Sequence, residues 1–99
     1  MMTRNIERRL LSLSGEISAV RDETGILQEQ LAFQGEVVDD ARVRALVAET
    51  PIADREFRIA SEDHQRISRV LEETRSRLAS LLEEQDRLLS ELLPEATTG

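Results

Sequence analysis

Two seams of residues at alternating spacings of three and four dominate this chain. The more regular seam consists of Phe57, Ala60, His64, Ile67, Leu71, Thr74, Leu78, Leu81, Gln85, Leu88 and Leu92, and it spans no glycine or proline. The other consists of Ile6, Leu10, Leu13, Ile17, Val20, Thr24, Leu27, Leu31, Gln34, Val38, Ala41, Ala45 and Ala48. Such spacing is the repeat with which α-helices pack in coiled coils. The sequence therefore predicts an all-α protein with two long helices.

The phase of the seams breaks once, just before Pro51. Thr50 followed by Pro51 matches an N-cap with proline in the first helical position, and Asp54 and Glu56 add negative charge where the helix dipole favours it. Pro94 marks the far end of the second helix.

We predict long helices over about 4–49 and 51–93 in a single hairpin domain, residues 1–93, followed by a flexible C-terminal tail over 94–99. Gly15, Gly25 and Gly35 lie outside the first seam, and each costs about 1 kcal/mol relative to alanine. We expect them to bend the first helix more than to end it. The alternative is a first helix that is divided between Gly35 and Asp40.

Because the connection is short, the two helices must fold back as an antiparallel hairpin. The favoured register sets Gln34 opposite His64 and Thr24 opposite Thr74, as polar register layers, and leaves only Gln85 opposite an apolar residue. In the competing register all five polar residues lie opposite apolar ones. An unsatisfied buried polar group costs about 1 to 3 kcal/mol, so the first register should prevail.

The favoured register also predicts contacts between charged residues beside the seams. The attractive pairs are Arg44 with Glu56, Glu23 with Arg77 and Arg9 with Glu91, and the repulsive pairs are Arg21 with Arg75 and Glu16 with Glu84. Exposed attractive pairs contribute about 0.5 kcal/mol each, so they support the register without deciding it.

Apolar residues that the seams do not use predict contacts with other chains. Near the termini these are Leu11, Leu82, Leu89 and Leu93, the predicted self-association surface. Ile26, Phe33, Val37 and Val70 lie toward the opposite flank, and Val43, Leu46, Val47, Ile52 and Ile59 lie near the turn. A lone two-helix hairpin is marginally stable, which favours two hairpins that dimerise into a four-helix bundle. A third short helix near Gly35 is the alternative cover for part of this surface.

The sequence offers no chemistry typical of an enzyme. It has no cysteine and one histidine, and we find no nucleophile–base pair, phosphate-binding loop or metal-ligand spacing, so we expect no enzymatic activity and no cofactor. His64 is best interpreted as a polar layer with Gln34, and a pH switch is the alternative. The formal net charge of −7 opposes direct nucleic-acid binding. With no signal peptide and no membrane span in the pattern, we expect a cytoplasmic protein.

We therefore predict a non-enzymatic coiled-coil interaction module, an adaptor or assembly element, that binds a protein partner and forms a homo-oligomer, with a dimer favoured. The alternative uses the hairpin tip, whose candidate partner-binding residues are Glu49, Thr50, Pro51, Ile52, Asp54 and Glu56. With acids at positions 49, 54 and 56, the predicted hairpin resembles the coiled-coil domains of transcription factors that enter the secondary channel of RNA polymerase. That resemblance implies a regulator that inserts its acidic tip into a large complex.

Overall fold

The computed structural model describes residues 2–93, which form two α-helices. Helix α1 is Met2–Ala48 and helix α2 is Pro51–Leu92. Both predicted helices are confirmed, with ends that differ by one or two residues, and α1 continues unbroken through Gly35 and Asp40. No strand occurs among residues 2–93. The predicted tail, 94–99, lies outside the described residues.

The turn consists of only two residues, Glu49 and Thr50. Glu49 has φ 52°, in the left-handed region that commonly ends helices, and its N–H donates to the Ala45 carbonyl (3.2 Å). The Ala53 N–H donates to Thr50 Oγ1 (3.2 Å), which is the predicted N-cap of α2. The Asp54 N–H donates to the Thr50 carbonyl (3.1 Å). The chain therefore reverses direction within two residues, and the N–H groups of Glu49, Ala53 and Asp54 all have hydrogen-bond acceptors.

The reversal gives the predicted antiparallel hairpin. Seam residues from Ile6 to Ala45 and from Phe57 to Leu92 are all buried or half-buried, whereas Ala48 is exposed. Within residues 2–93, no buried side-chain nitrogen or oxygen lacks a hydrogen-bond partner. The contacts group into two compact units: unit 1 combines Met1–Glu23 with Thr74–Gly99, and unit 2 is Thr24–Glu73.

Large aliphatic side chains form the interior of unit 1. Leu13, Ile17 and Val20 are buried there, and Leu13 is fully inaccessible, with 0% of its surface exposed. Thr74 is the polar residue buried with them in this unit. Unit 1 thus stabilises itself by removing bulky apolar groups from water.

The interior of unit 2 is built mainly from alanine. Ala41, Ala53 and Ala60 are buried on the two helices near the turn, and Leu71 is the one large residue buried in the described part of this unit. Alanine side chains let helix backbones approach closely, but they remove little apolar surface from water. Most of the large apolar residues of this unit lie outside the interior instead.

Candidate functional site

An apolar groove lies beside the turn of unit 2. It has a volume of about 350 Å³, and Val43, Val47 and Ile52 are its large apolar residues. Ala48 and Ala53 complete its apolar lining. Val43, Val47 and Ile52 lie outside the two seams, and all three are exposed. We call this the turn groove.

A second groove, of about 480 Å³, lies next to it in the same unit. Val37 and Ile59 are its large apolar residues, and Asp63 lies at its edge. Arg44 and Glu56 line both grooves and contact each other, with 4.0 Å between Arg44 Nε and Glu56 Oε2. The two grooves therefore lie on the same side of unit 2, and this ion pair separates them.

Helical spacing extends this side of unit 2 away from the turn. Ile26 and Phe33 precede Val47 on α1 by multiples of seven residues, and Val70 follows Asp63 on α2 by seven. Together these positions define the unit 2 apolar face: Ile26, Phe33, Val37, Val47, Ile52, Ile59 and Val70. Apart from half-buried Val37, its members are between 39% and 79% exposed. Exposed apolar surface of this extent usually marks a binding site.

The other side of unit 2 carries a groove with a mainly polar lining. A groove of about 330 Å³ is lined there by Gly35, Val38, Asp39, Arg42, Ser61, His64 and Gln65. The Arg42 guanidinium lies 5.9 Å from the centre of the Phe57 ring, a cation–π contact that covers the aromatic seam residue. Unit 2 therefore has an apolar groove on one side and a mainly polar groove on the other.

The predicted tip residues separate into two groups in the structure. Thr50, Ile52 and Glu56 line the turn groove, whereas Glu49, Pro51 and Asp54 are exposed beyond its lining. The structure thus adds apolar Val43 and Val47 from α1 to the predicted tip. The sequence signal for both valines was their position near the turn and outside the first seam, which Ala41, Ala45 and Ala48 occupy there.

The predicted register layers lie within the helix packing. The Gln34 amide donates to the main-chain carbonyl of Ala60 (3.1 Å), and His64 Nε2 lies 3.9 Å from where a Cβ on Gly35 would stand. Of the other layer, Thr74 is buried in unit 1 and Thr24 is half-buried in unit 2. These residues contribute to packing, and the pH-switch interpretation of His64 stays a prediction.

A charged cluster in unit 1 departs from the predicted pairing. Arg9 binds Glu84 through two hydrogen bonds (2.7 and 2.8 Å) and lies 3.4 Å from Glu16, in place of the predicted contact with Glu91. The hydrogen bond from Arg9 lowers the pKa of Glu84, and the same bond raises the pKa of Arg9. Arg9 thereby compensates the repulsion predicted between Glu16 and Glu84.

The other predicted charge pairs are present within single units. Glu23 accepts a hydrogen bond from Arg77 in unit 1, and Arg44 contacts Glu56 in unit 2. Both pairs connect α1 to α2 in the favoured register. Because all four side chains are about half exposed, the pairs support the register and add little stability.

The predicted self-association leucines all belong to unit 1. Leu11, Leu89 and Leu93 are exposed, and Leu82 is half-buried beside Ile17 and Gln85. Three of the four therefore offer apolar surface to another chain. Their role in self-association stays a prediction.

Neither helix, within residues 2–93, combines the length and apolar content that a membrane span requires. In the same residues no three His, Asp or Glu side chains come together as a candidate metal site. The sequence matches no known protein family, and no curated protein or solved structure is significantly similar to it.

Proposed function

We propose that this protein is a non-enzymatic, cytoplasmic interaction module, an adaptor or assembly element whose partners are proteins. One observation carries this proposal: near the turn of unit 2 the buried residues are Ala41, Ala53 and Ala60, while Val43, Val47 and Ile52 are exposed to solvent. A chain that needed only to fold would gain stability from the opposite arrangement. The exposed side chains gain their burial when another protein covers them.

The proposal includes self-association, with a dimer as the favoured state. The exposed leucines of unit 1 and the unit 2 apolar face are the two candidate surfaces for it. Two hairpins that pack together would bury side chains that a single hairpin leaves in water. Light scattering of the purified chain should give a mass above that of a monomer.

Site-specific photo-crosslinking in the cells that naturally produce this protein tests the interaction function. A photoreactive residue is placed at position 47, in the turn groove, and at position 46 as the matched control. Val47 and Leu46 are 79% and 71% exposed, but only Val47 lines the groove. We expect defined crosslinked proteins from position 47 and few from position 46. Equal, diffuse crosslinking from both positions would contradict a specific interaction surface.

A second candidate function is regulation by insertion of the hairpin tip into a large complex such as RNA polymerase. It is favoured by two exposed acidic residues at the tip, Glu49 in the two-residue turn and Asp54 in the first turn of α2. Binding to purified RNA polymerase should weaken for Glu49→Ala/Asp54→Ala. Glu72→Ala/Glu73→Ala, which removes two exposed acids elsewhere in unit 2, is the control. Equal binding by both variants would exclude a specific role for the tip acids.

A further inference from the structure

We propose that a second copy of this chain covers the unit 2 apolar face, packed antiparallel across a two-fold axis so that each copy covers the turn groove of the other. This inference rests on the proposed interaction function and deepens it, because it specifies both the surface and the occupant. A two-fold interface brings the same patch of both copies together, so the patch must be self-complementary. The unit 2 apolar face has that property.

The centre of the face follows from the packing of the two helices. Gly35 lies beside His64, so antiparallel helices place Val37 level with Glu62. We take the neighbouring Ser61, one residue away, as the centre on α2. The second groove, with Val37 and Ile59, lies at this level. A two-fold axis through this point relates residues at equal distances on either side of it.

Large apolar residues lie at matching distances from this centre. On α1, Ile26 and Val47 are 11 and 10 residues from it, or about 16 and 15 Å at 1.5 Å per residue. On α2, Ile52 and Val70 each lie nine residues from it. Rotation about the axis therefore sets Ile26 and Val70 of one copy against the turn groove of the other. Both ends of the face become apolar contacts.

Charge complementarity supports the same arrangement. Glu56 lies five residues before Ser61 and Arg66 five residues after it, so the axis places Glu56 of each copy near Arg66 of the other. Arg66 is exposed and bonds Asp63 within its own chain (2.8 Å). Two chains of net charge −7 repel each other. A face on which opposite charges meet is therefore the appropriate site for self-association.

The exposed apolar area of the face is close to what a stable dimer interface needs. Burying a large aliphatic or aromatic side chain corresponds to about 60 to 120 Å² of apolar surface, so the exposed members of the face supply on the order of 400 Å² in each copy. A stable interface buries about 800 Å² per partner, a little over half of it apolar. The unit 2 apolar face thus approaches what a dimer of ordinary strength requires.

Sedimentation equilibrium of the purified full chain tests the surface. Val47→Ser/Ile52→Ser should raise the dissociation constant of the dimer about tenfold or more. A tenfold change corresponds to about 1.4 kcal/mol. Leu46→Ser controls for loss of an exposed apolar residue outside the grooves. Leu11→Ser/Leu89→Ser examines the leucines of unit 1 and should leave the constant unchanged. Circular dichroism of each variant confirms that the helices remain.

Charge exchange tests the two-fold relation. Glu56→Arg alone sets two arginines against each other across the interface, and Arg66→Glu alone sets two acids there. Each should weaken dimerisation several-fold, and the double variant should restore it. All three variants change only surface charges and leave the helical interior intact. Loss of dimerisation in the single variants and its return in the double variant therefore report on the contact between copies.

Disulfide trapping makes the test independent of stability. The chain has no cysteine, so Val37→Cys introduces a single thiol near the axis, and Leu46→Cys introduces one away from it. Oxidised glutathione should link Val37→Cys into a covalent dimer and leave Leu46→Cys largely unlinked. Equal trapping at both positions would overturn the two-fold packing.

The outcomes separate this inference from the proposed function. A dimer that is lost only through the unit 1 leucines overturns the surface assignment while the interaction function stands. A monomeric wild-type chain that still yields specific crosslinks from position 47 overturns the second copy as the occupant, and a different protein is then the partner. A monomer with no specific crosslinks contradicts both.

Discussion

The two units bury opposite kinds of side chain. Unit 1 encloses Leu13, Ile17 and Val20, whereas unit 2 encloses Ala41, Ala53 and Ala60 near its turn and leaves most of its large apolar residues outside. Burying a large aliphatic side chain contributes about 1.5 to 3 kcal/mol, and burying alanine contributes much less. Burial of large side chains therefore contributes more to unit 1, and unit 2 leaves an apolar surface that we propose a partner covers.

This difference shows that one type of seam can serve two purposes. Both seams keep the same spacing from end to end, so the helices continue and pack throughout. The two units differ in the size of their buried residues. We propose that the large exposed residues beside the alanines of unit 2 serve binding.

Shortening a large side chain in the interior of unit 1 should have the largest effect on the free energy of unfolding. Leu13 is fully buried, and Leu13→Ala should lower the free energy of unfolding by about 2 to 5 kcal/mol, through lost burial and the cavity that remains. Val43→Ala in unit 2, where the side chain is exposed, should change it by less than about 0.5 kcal/mol. Urea unfolding measured at one low protein concentration compares the two. Equal losses would show that the units do not differ in this way.

Enlarging an interior alanine tests whether unit 2 is closely packed. Ala41 is buried, and Ala41→Leu should destabilise the chain by about 1 to 3 kcal/mol because the helices must separate. Ala32→Leu adds the same side chain at an exposed position of α1 and should be nearly neutral. The thermal unfolding temperatures of the two variants measure this difference in stability. A stabilising Ala41→Leu would mean that unit 2 has unfilled space inside.

The cap of α2 should contribute less. Thr50 Oγ1 accepts the Ala53 N–H, and Thr50→Ala should cost about 1 kcal/mol, while Thr50→Ser keeps the acceptor and most of the stability. The loss acts in unit 2, so hydrogen exchange should accelerate for amides near the turn before those around Leu13. Uniform acceleration along both helices would indicate that the two units open together.

The smallest expected effect concerns the charged cluster of unit 1. Because Arg9 lowers the pKa of Glu84 in the folded chain, ionised Glu84 adds stability above its unfolded-state pKa, and that stability is lost as the pH falls through the depressed folded-state pKa. The melting temperature of Glu84→Gln should therefore be slightly lower than that of wild type at pH 7 and equal to it near pH 2. Melting curves across this range test it, and a gap that persists in acid would contradict the ion-pair origin.

Much of the fold followed from local signals. The Thr50–Pro51 pair identified the start of α2, and the spacing of three and four identified both helices. Such signals act within a few residues, so they can be recognised without knowing the neighbouring helix. Glu49 was identified as a tip residue, but its left-handed backbone was missed because that conformation more often belongs to glycine.

The candidate site was only partly predictable. Val43, Val47 and Ile52 were recognised as surplus apolar residues near the turn, but their assembly into one groove depends on how closely the alanine-lined helices approach. Arg9 was paired by sequence register with Glu91, whereas its flexible side chain reaches Glu84 and Glu16 instead. Side-chain reach of this kind follows from the packed structure and not from the repeat.

The sequence by itself determined the two helices, their boundaries and the antiparallel hairpin, because periodicity, capping and a short connection act along the chain. Only the tertiary structure decided how far each of the surplus apolar residues is exposed and which of them gather in the turn groove. The physical reason is that exposure and groove formation depend on how the side chains of both helices pack together. The repeat along the chain fixes only the direction in which each side chain leaves its own helix.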